Sequence, residues 1–176
     1  LLQTDPPGAS GFRNDTHGNP LTTTLWDQYS YLADAGLAEL FSQKRRSMLE
    51  EITGPIPQTG IQLEHAEKLI RSFVPRAFRR NVADEKLDRI VSSLEQSSDL
   101  EAATKTELKT VLMSAGFMFR GLLMEGETGK QQAVDNYELA ERLSYFVWGD
   151  MPDAELLELA AAGTLANPDV FAAQIE

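Results

Sequence analysis

Asp135-Asn136-Tyr137-Glu138-Leu139-Ala140-Glu141-Arg142-Leu143-Ser144-Tyr145-Phe146-Val147-Trp148-Gly149 is the stretch whose reading decides the fold. Its opening fits a capping box, with the Asp135 side chain reaching the amide of Glu138. A helix then runs to Trp148 and stops at Gly149, a residue suited to a helix C-terminus. Tyr145 and Phe146, at helical spacing, are expected in the core. Downstream, Pro152 suits a first helical position, and Leu156, Leu157 and Ala160 follow before Gly163. Asn167-Pro168 opens a further helix in the same way.

Upstream the same grammar repeats. Leu21–Phe41 places apolar residues at steps of three and four, with Thr22 or Thr23 as its cap and Gly36 weakening its second half. Leu63–Phe73 reads as a helix that Pro75 kinks or restarts. Asp84–Leu94 aligns Leu87, Ile90, Val91 and Leu94, and Leu100–Ala115 aligns Leu108, Val111, Leu112 and Ala115. No run alternates with period two for long, and there is no internal repeat. The fold class expected is all-α, with six or seven amphipathic helices in two packed groups.

Pro and Gly punctuate these helices. Residues 1–20 hold Pro6, Pro7, Gly8, Gly11, Gly18 and Pro20 and read as loop; 53–60, Thr-Gly-Pro-Ile-Pro-Gln-Thr-Gly, read as a linker. The organisation expected is a loop plus long helix over 1–52, the linker, an arginine-rich helical domain over 61–124, and the start of a larger helical domain over 125–176. A mobile loop at 125–134 opens the last of these. Leu1 is not an initiator Met, and the final residues Phe171–Glu176 read as helix. The expectation is an internal piece of a longer protein, so a missing signal peptide does not place it in the cytoplasm. Val170, Phe171 and Ile175 are then expected to face something outside these residues. The alternative is that their helix folds back on Leu156 and Leu159.

The 176 residues are 42% hydrophobic and 24% charged, ordinary for a globular chain and unlike a disordered one. No apolar run has the length of a membrane helix. Cysteine is absent. That excludes disulfides, thiolate metal sites and covalent c-type haem, which needs C-x-x-C-H. Sixteen Lys and Arg stand against 27 Asp and Glu, a net charge of −11. Such a field repels phosphate backbones, so nucleic acid is not an expected partner. The charge is unevenly spread: residues 61–96 carry seven basic and six acidic groups, whereas 97–176 carry five and 14. Arg71, Arg76, Arg79 and Arg80 are therefore expected to serve local carboxylates, with Arg79 or Arg80 paired to an acid from the later half.

Residues of catalytic type do not assemble into a motif. His65 has Ile61 and Leu69 where a second metal ligand would stand, so it reads as a surface or half-buried residue. His17, in Asn14-Asp15-Thr16-His17-Gly18-Asn19, reads as an Asx-type turn rather than a Ca²⁺ loop. Asp150, Asp153, Glu155 and Glu158 resemble paired acids of sugar chemistry, but their place at a helix start complements the macrodipole. Met113, Met118 and Met124 read as core fillers. There is no G-x-S-x-G, H-E-x-x-H, P-loop or G-x-G-x-x-G. No catalytic, cofactor-binding or metal-ligating residue is assigned. The structural or interaction candidates are Arg76, Arg79, Arg80, Tyr137, Trp148 and Phe171.

Three stretches carry a resemblance. They are Gly11-Phe12-Arg13-Asn14-Asp15 through Pro20-Leu21-Thr22; Phe73-Val74-Pro75-Arg76-Ala77-Phe78-Arg79-Arg80 with Asp84-Glu85-Lys86-Leu87; and Asn136–Trp148 leading into Met151-Pro152-Asp153. In this order the chain resembles multidomain planctomycete-type proteins that carry cytochrome-associated domains of unknown function, found also in other Gram-negative bacteria. It departs from them at Asn81 and Ala83, where the family has Pro and a capping Thr or Ser, and Asp84 is expected to take over the cap. At Ser114-Ala115-Gly116-Phe117 the family has Ser-Pro followed by Phe, and a looser helix end is expected.

The resemblance implies an exported protein, periplasmic or extracellular. It places residues 1–52 at the end of an N-terminal family domain and c-type haem elsewhere in the parent. The function expected is a haem-free scaffold segment supporting an electron-transfer or oxidative module. Its partners are the rest of its own chain or neighbouring envelope subunits, and a parent enzyme would be an oxidoreductase. The rivals are a carbohydrate-binding or carbohydrate-active module built on Tyr137–Trp148 and Asp150–Glu158, and an interaction subunit of a cell-envelope assembly. An exposed Trp148 lining a cleft with carboxylates favours the sugar reading, and a buried one the scaffold.

Overall fold

The computed structural model describes residues 22–119 and 134–175. The expected loop over 1–20, the His17 turn and most of the 125–134 loop lie outside the described residues. The described residues form nine α-helices and one short 3₁₀ helix, with no strand among them. The chain is all-α. It divides after Pro55 into two compact units.

The first unit holds α1 (Thr23–Leu40), a 3₁₀ helix (Gln43–Arg45) and α2 (Arg46–Thr53). Thr22 caps α1 by accepting from the Leu25 amide at 3.1 Å. Helix α2 is an addition to the sequence reading. At eight residues it is shorter than the window in which periodicity speaks, and its stability comes from packing. Leu49 and Thr53 are buried, and an Arg46–Glu50 pair at 2.8 Å braces its outer side. Thr53, expected in the linker, is the last residue of α2, its hydroxyl donating to the Leu49 carbonyl at 3.0 Å.

The second unit holds α3 (Leu63–Phe78), α4 (Asp84–Leu94), α5 (Leu100–Leu112), α6 (Ala115–Met118), α7 (Asn136–Val147), α8 (Ala154–Ala161) and α9 (Pro168–Ala173). Helix α3 packs on both α4 and α5. Their shared core includes Leu69, Ile70, Val74, Leu87, Leu94 and Leu108, all buried. Enclosing each Leu or Ile stabilises the fold by about 1.5–3 kcal/mol relative to leaving it exposed. The expected helix over Leu100–Ala115 is broken at Met113-Ser114, where the Ser114 hydroxyl turns back to the Val111 carbonyl at 2.7 Å. The short α6 follows.

Several boundaries differ from expectation for local reasons. Helix α3 continues through Pro75 to Phe78, because its packed face carries the backbone past the one missing amide donor. Ala83, not Asp84, holds the N-cap position of α4 and makes no side-chain cap bond; Asp84 is the first helical residue. Asp135 caps α7 at 2.7 Å from the Glu138 amide, but the Glu138 carboxylate pairs with Arg142 instead of closing the box. Pro152 lies outside α8, whose cap is Asp153, accepting from Leu156 at 2.8 Å.

Helices α7 and α8 pack on one another around Ala140, Leu143, Leu156, Ala160 and Leu165. Phe171 of α9 packs against this cluster with Tyr137 and Leu159. The folded-back alternative therefore describes Phe171, and only Ile175 of the expected outward trio is exposed. Phe146 departs from expectation in the other direction: it is 89% exposed, pointing away from the α8 contact.

Candidate functional site

Polar chemistry in the second unit converges where α3 ends. The last turn of α3 closes as a Schellman motif: the Arg79 amide donates to Arg76 O and the Arg80 amide to Pro75 O, both at 3.1 Å. Such an ending puts one residue in the left-handed region. The ends of α7 and α8 use Gly149 and Gly163 there, at φ 72° and 70°, whereas α3 uses Arg79 at φ 53°. A side chain in this region costs about 1–2 kcal/mol. The conformation is held by what the side chain does.

That side chain is buried, and its guanidinium sits among main-chain carbonyls. Nη1 donates to Ala77 O at 3.2 Å and to Phe117 O at 3.3 Å. Nη2 donates to Gly116 O at 2.9 Å and to Phe119 O at 3.0 Å. Together these bonds satisfy the carbonyls of Gly116, Phe117 and Phe119 and pin α6 to the end of α3. Gly116 packs closely here: a Cβ at this position would stand 3.0 Å from the Phe78 ring, which would have to shift to admit it.

The guanidinium also meets Glu141 of α7. Arg79 Nε and Glu141 Oε2 lie 3.2 Å apart, with both side chains more than nine-tenths buried. The two atoms attract as charges but are not aligned for hydrogen bonding, so neither has a hydrogen-bond partner. Arg80 makes a second, looser bridge to α7: its Nη1 is 3.6 Å from Asp135 Oδ2, and its guanidinium stands over the Tyr137 ring at 5.6 Å from the centroid. Arginines at the end of α3 thus reach carboxylates of the acidic half.

A cavity of about 290 Å³ adjoins this pair. Phe78, Val82 and Phe119 supply apolar wall; Arg79, Arg80, Lys86 and Glu141 supply its charge. Lys86 makes no ion pair among the described residues and is exposed, so it adds an unpaired positive charge to this wall.

The other candidates fall elsewhere. Arg71 serves local acids, with Asp88 at 2.5 Å and Glu67 at 2.8 Å; these two bonds, the Asp88 one foremost, raise its pKa above the ordinary arginine value. Arg76 is exposed and makes no ion pair among the described residues. Trp148 is 42% exposed at the end of α7 and is not on the wall of this cavity. His65 is half-buried, and its Nδ1 accepts the Gln62 amide at 3.1 Å, tying down the first turn of α3. Among the described residues no group of three His, Cys, Asp or Glu side chains is placed to hold a metal ion, and no helix is long and apolar enough to cross a membrane. Covalent c-type haem does not fit this chain, which has no thiol to hold it.

Glu141, Gly116 and Lys86 were not among the sequence candidates. Glu141 had a signal: Tyr137, Ala140, Glu141 and Ser144 share the inward stripe of α7, and an acid there needs a buried partner. The carbonyl cage had none, because it rests on main-chain atoms of a turn that no residue pattern announces.

Two family models match parts of the chain. The PSD5 model, described as a protein of unknown function (DUF1595), matches residues 65–121. The PSD4 model, described as a protein of unknown function (DUF1592), matches residues 134–176. No curated protein and no solved structure matches the chain. Arg79 falls in the first matched stretch and Glu141 in the second.

Proposed function

We propose that the chain is a haem-free helical scaffold segment of an exported, c-type-cytochrome-associated protein, holding an electron-transfer or oxidative module carried elsewhere in the parent. The two matched domain types suit planctomycete-type parents of this kind. On this reading the segment works outside the cytoplasm, in contact with the rest of its own chain or neighbouring envelope subunits. Any oxidoreductase activity belongs to the parent.

The observation that carries the reading is the commitment of Arg79. Four carbonyls and one carboxylate engage the most buried cation of the second unit, and they come from α3, α6 and α7. A group so enclosed supports architecture. The test compares Arg79→Ala with Trp148→Ala in the parent protein, reading folded holoprotein yield and the rate of haem reduction per haem. A scaffold loses yield several-fold with Arg79→Ala while the rate per haem stays within about twofold. A variant in this segment that keeps its fold and haem content but loses turnover per haem overturns the proposal.

The carbohydrate reading has one observation in its favour, the exposure of Trp148 beside Phe146 at the end of α7, just ahead of Asp150 and Asp153. It requires quenching or a blue shift of tryptophan fluorescence on titration with cello- or chito-oligosaccharides, lost in Trp148→Ala. An unchanged spectrum removes it.

A further inference from the structure

We infer that the cavity between the end of α3, the start of α4, α6 and α7 is a binding site for a small monocarboxylate with a short aliphatic or aromatic body. The inference goes beyond the scaffold role, which needs no ligand.

The charge on the cavity wall runs against the charge of the molecule. The chain carries a net charge of −11, yet the wall holds Arg79, Arg80 and Lys86 against one acid, Glu141. Arg79 and Glu141 balance one another at 3.2 Å. Arg80 keeps the loose 3.6 Å contact to Asp135 and its place over the Tyr137 ring, and Lys86 makes no ion pair among the described residues. The wall is therefore positive inside an acidic surround. A concave, low-dielectric wall focuses such a field onto an entering anion.

Two further features define the anion. Phe78, Val82 and Phe119 give it an apolar bed, which a hydrated inorganic anion does not use. The volume of about 290 Å³ is at the small end for ligand sites, so the body is short. One carboxylate on Lys86 and Arg80, with its apolar body on the phenyl rings, fits both.

The same carboxylate chemistry is presented by a free acid or by the C-terminus of a partner peptide. The probes are benzoate and hexanoate for the first, and acetyl-Ala-Phe, with its amide as control, for the second. Titration of the chain, followed by calorimetry and by the amide resonances of Val82, Ala83 and Lys86, reads the binding. For ligands of this size a Kd of about 0.1–10 mM is expected. Lys86→Gln, an exposed position, weakens binding at least tenfold with an unchanged melt, and Val82→Trp abolishes it by filling the space. Binding of the free acids assigns a metabolite-type ligand. Binding of acetyl-Ala-Phe but not its amide or the free acids assigns a chain end. Saturation by neither up to about 50 mM, equal binding in Lys86→Gln, or inorganic phosphate binding as tightly as benzoate overturns the inference.

Discussion

Arg79 combines two features that oppose each other. Its backbone occupies a region that glycine fills at the ends of α7 and α8, and its side chain is buried with an acid. Neither is favourable alone, and each is held by the other through the carbonyl cage. Removing the side chain leaves Glu141 buried without a counter-charge, a loss of about 3–5 kcal/mol. Arg79→Ala is therefore expected to lower stability by that amount in urea denaturation. Arg79→Ala combined with Glu141→Leu recovers a substantial part of the loss, because no orphaned charge remains. If the double variant is as unstable as the sum of the single ones, the pair is not the coupled unit described here. Arg79→Gly relaxes the backbone but loses the cage, and falls between wild type and Arg79→Ala.

Longer elements were legible in the sequence because their pattern repeats over several turns. Leu87, Val91 and Leu94 announce α4, and Thr22, Asp135 and Asn167 mark helix starts through side chains that bond the first turn. Helix α2 and α6 were not legible, since eight and four residues carry too little periodicity and depend on neighbours. Pro75 did not end α3, because a proline removes one donor, a local cost that a long packed face outweighs. Of the polar site, the partnership of the arginines with the acidic half could be read from charge, but the identity of Glu141 and the cavity required the fold. Along α3 itself, Lys68 donates to Glu64 one turn away at 2.6 Å, and this bond and the ammonium charge hold the Glu64 carboxyl below its ordinary pKa. The folded state favours the ionised acid, so the pair's support is present above the unfolded carboxylate's titration range. It fades as pH falls through the lower folded value. A carbon-detected NMR titration should show Glu64 titrating below the ordinary glutamate value, and Lys68→Met should bring it back up.

At the scale of the whole molecule, charge is segregated and then rejoined. The basic stretch ends in α4 and the acidic surplus follows, and the second unit brings the two together through Arg79, Arg80, Glu141 and Asp135. The outer aromatic and apolar side chains Phe146, Val147, Trp148 and Met151 stay exposed together at the far end of α7. The site at the end of α3 and this surface are thus separate features. Substitution of Phe146 by Ser is expected to leave the melt of the chain nearly unchanged, because the ring makes little buried contact; a fall of several degrees would mean that it packs in solution.

The buried pair also has a hereditary consequence. Its two members sit in stretches that match different family models, so the two stretches are expected to vary together at these positions. Lineages that lose the arginine are expected to have lost the glutamate as well, and recombination that joins one stretch to a foreign partner is tolerated only when both charges travel together or both are gone. A chimera carrying residues 134–175 from a relative with a neutral residue at position 141 should express poorly until that position is returned to Glu.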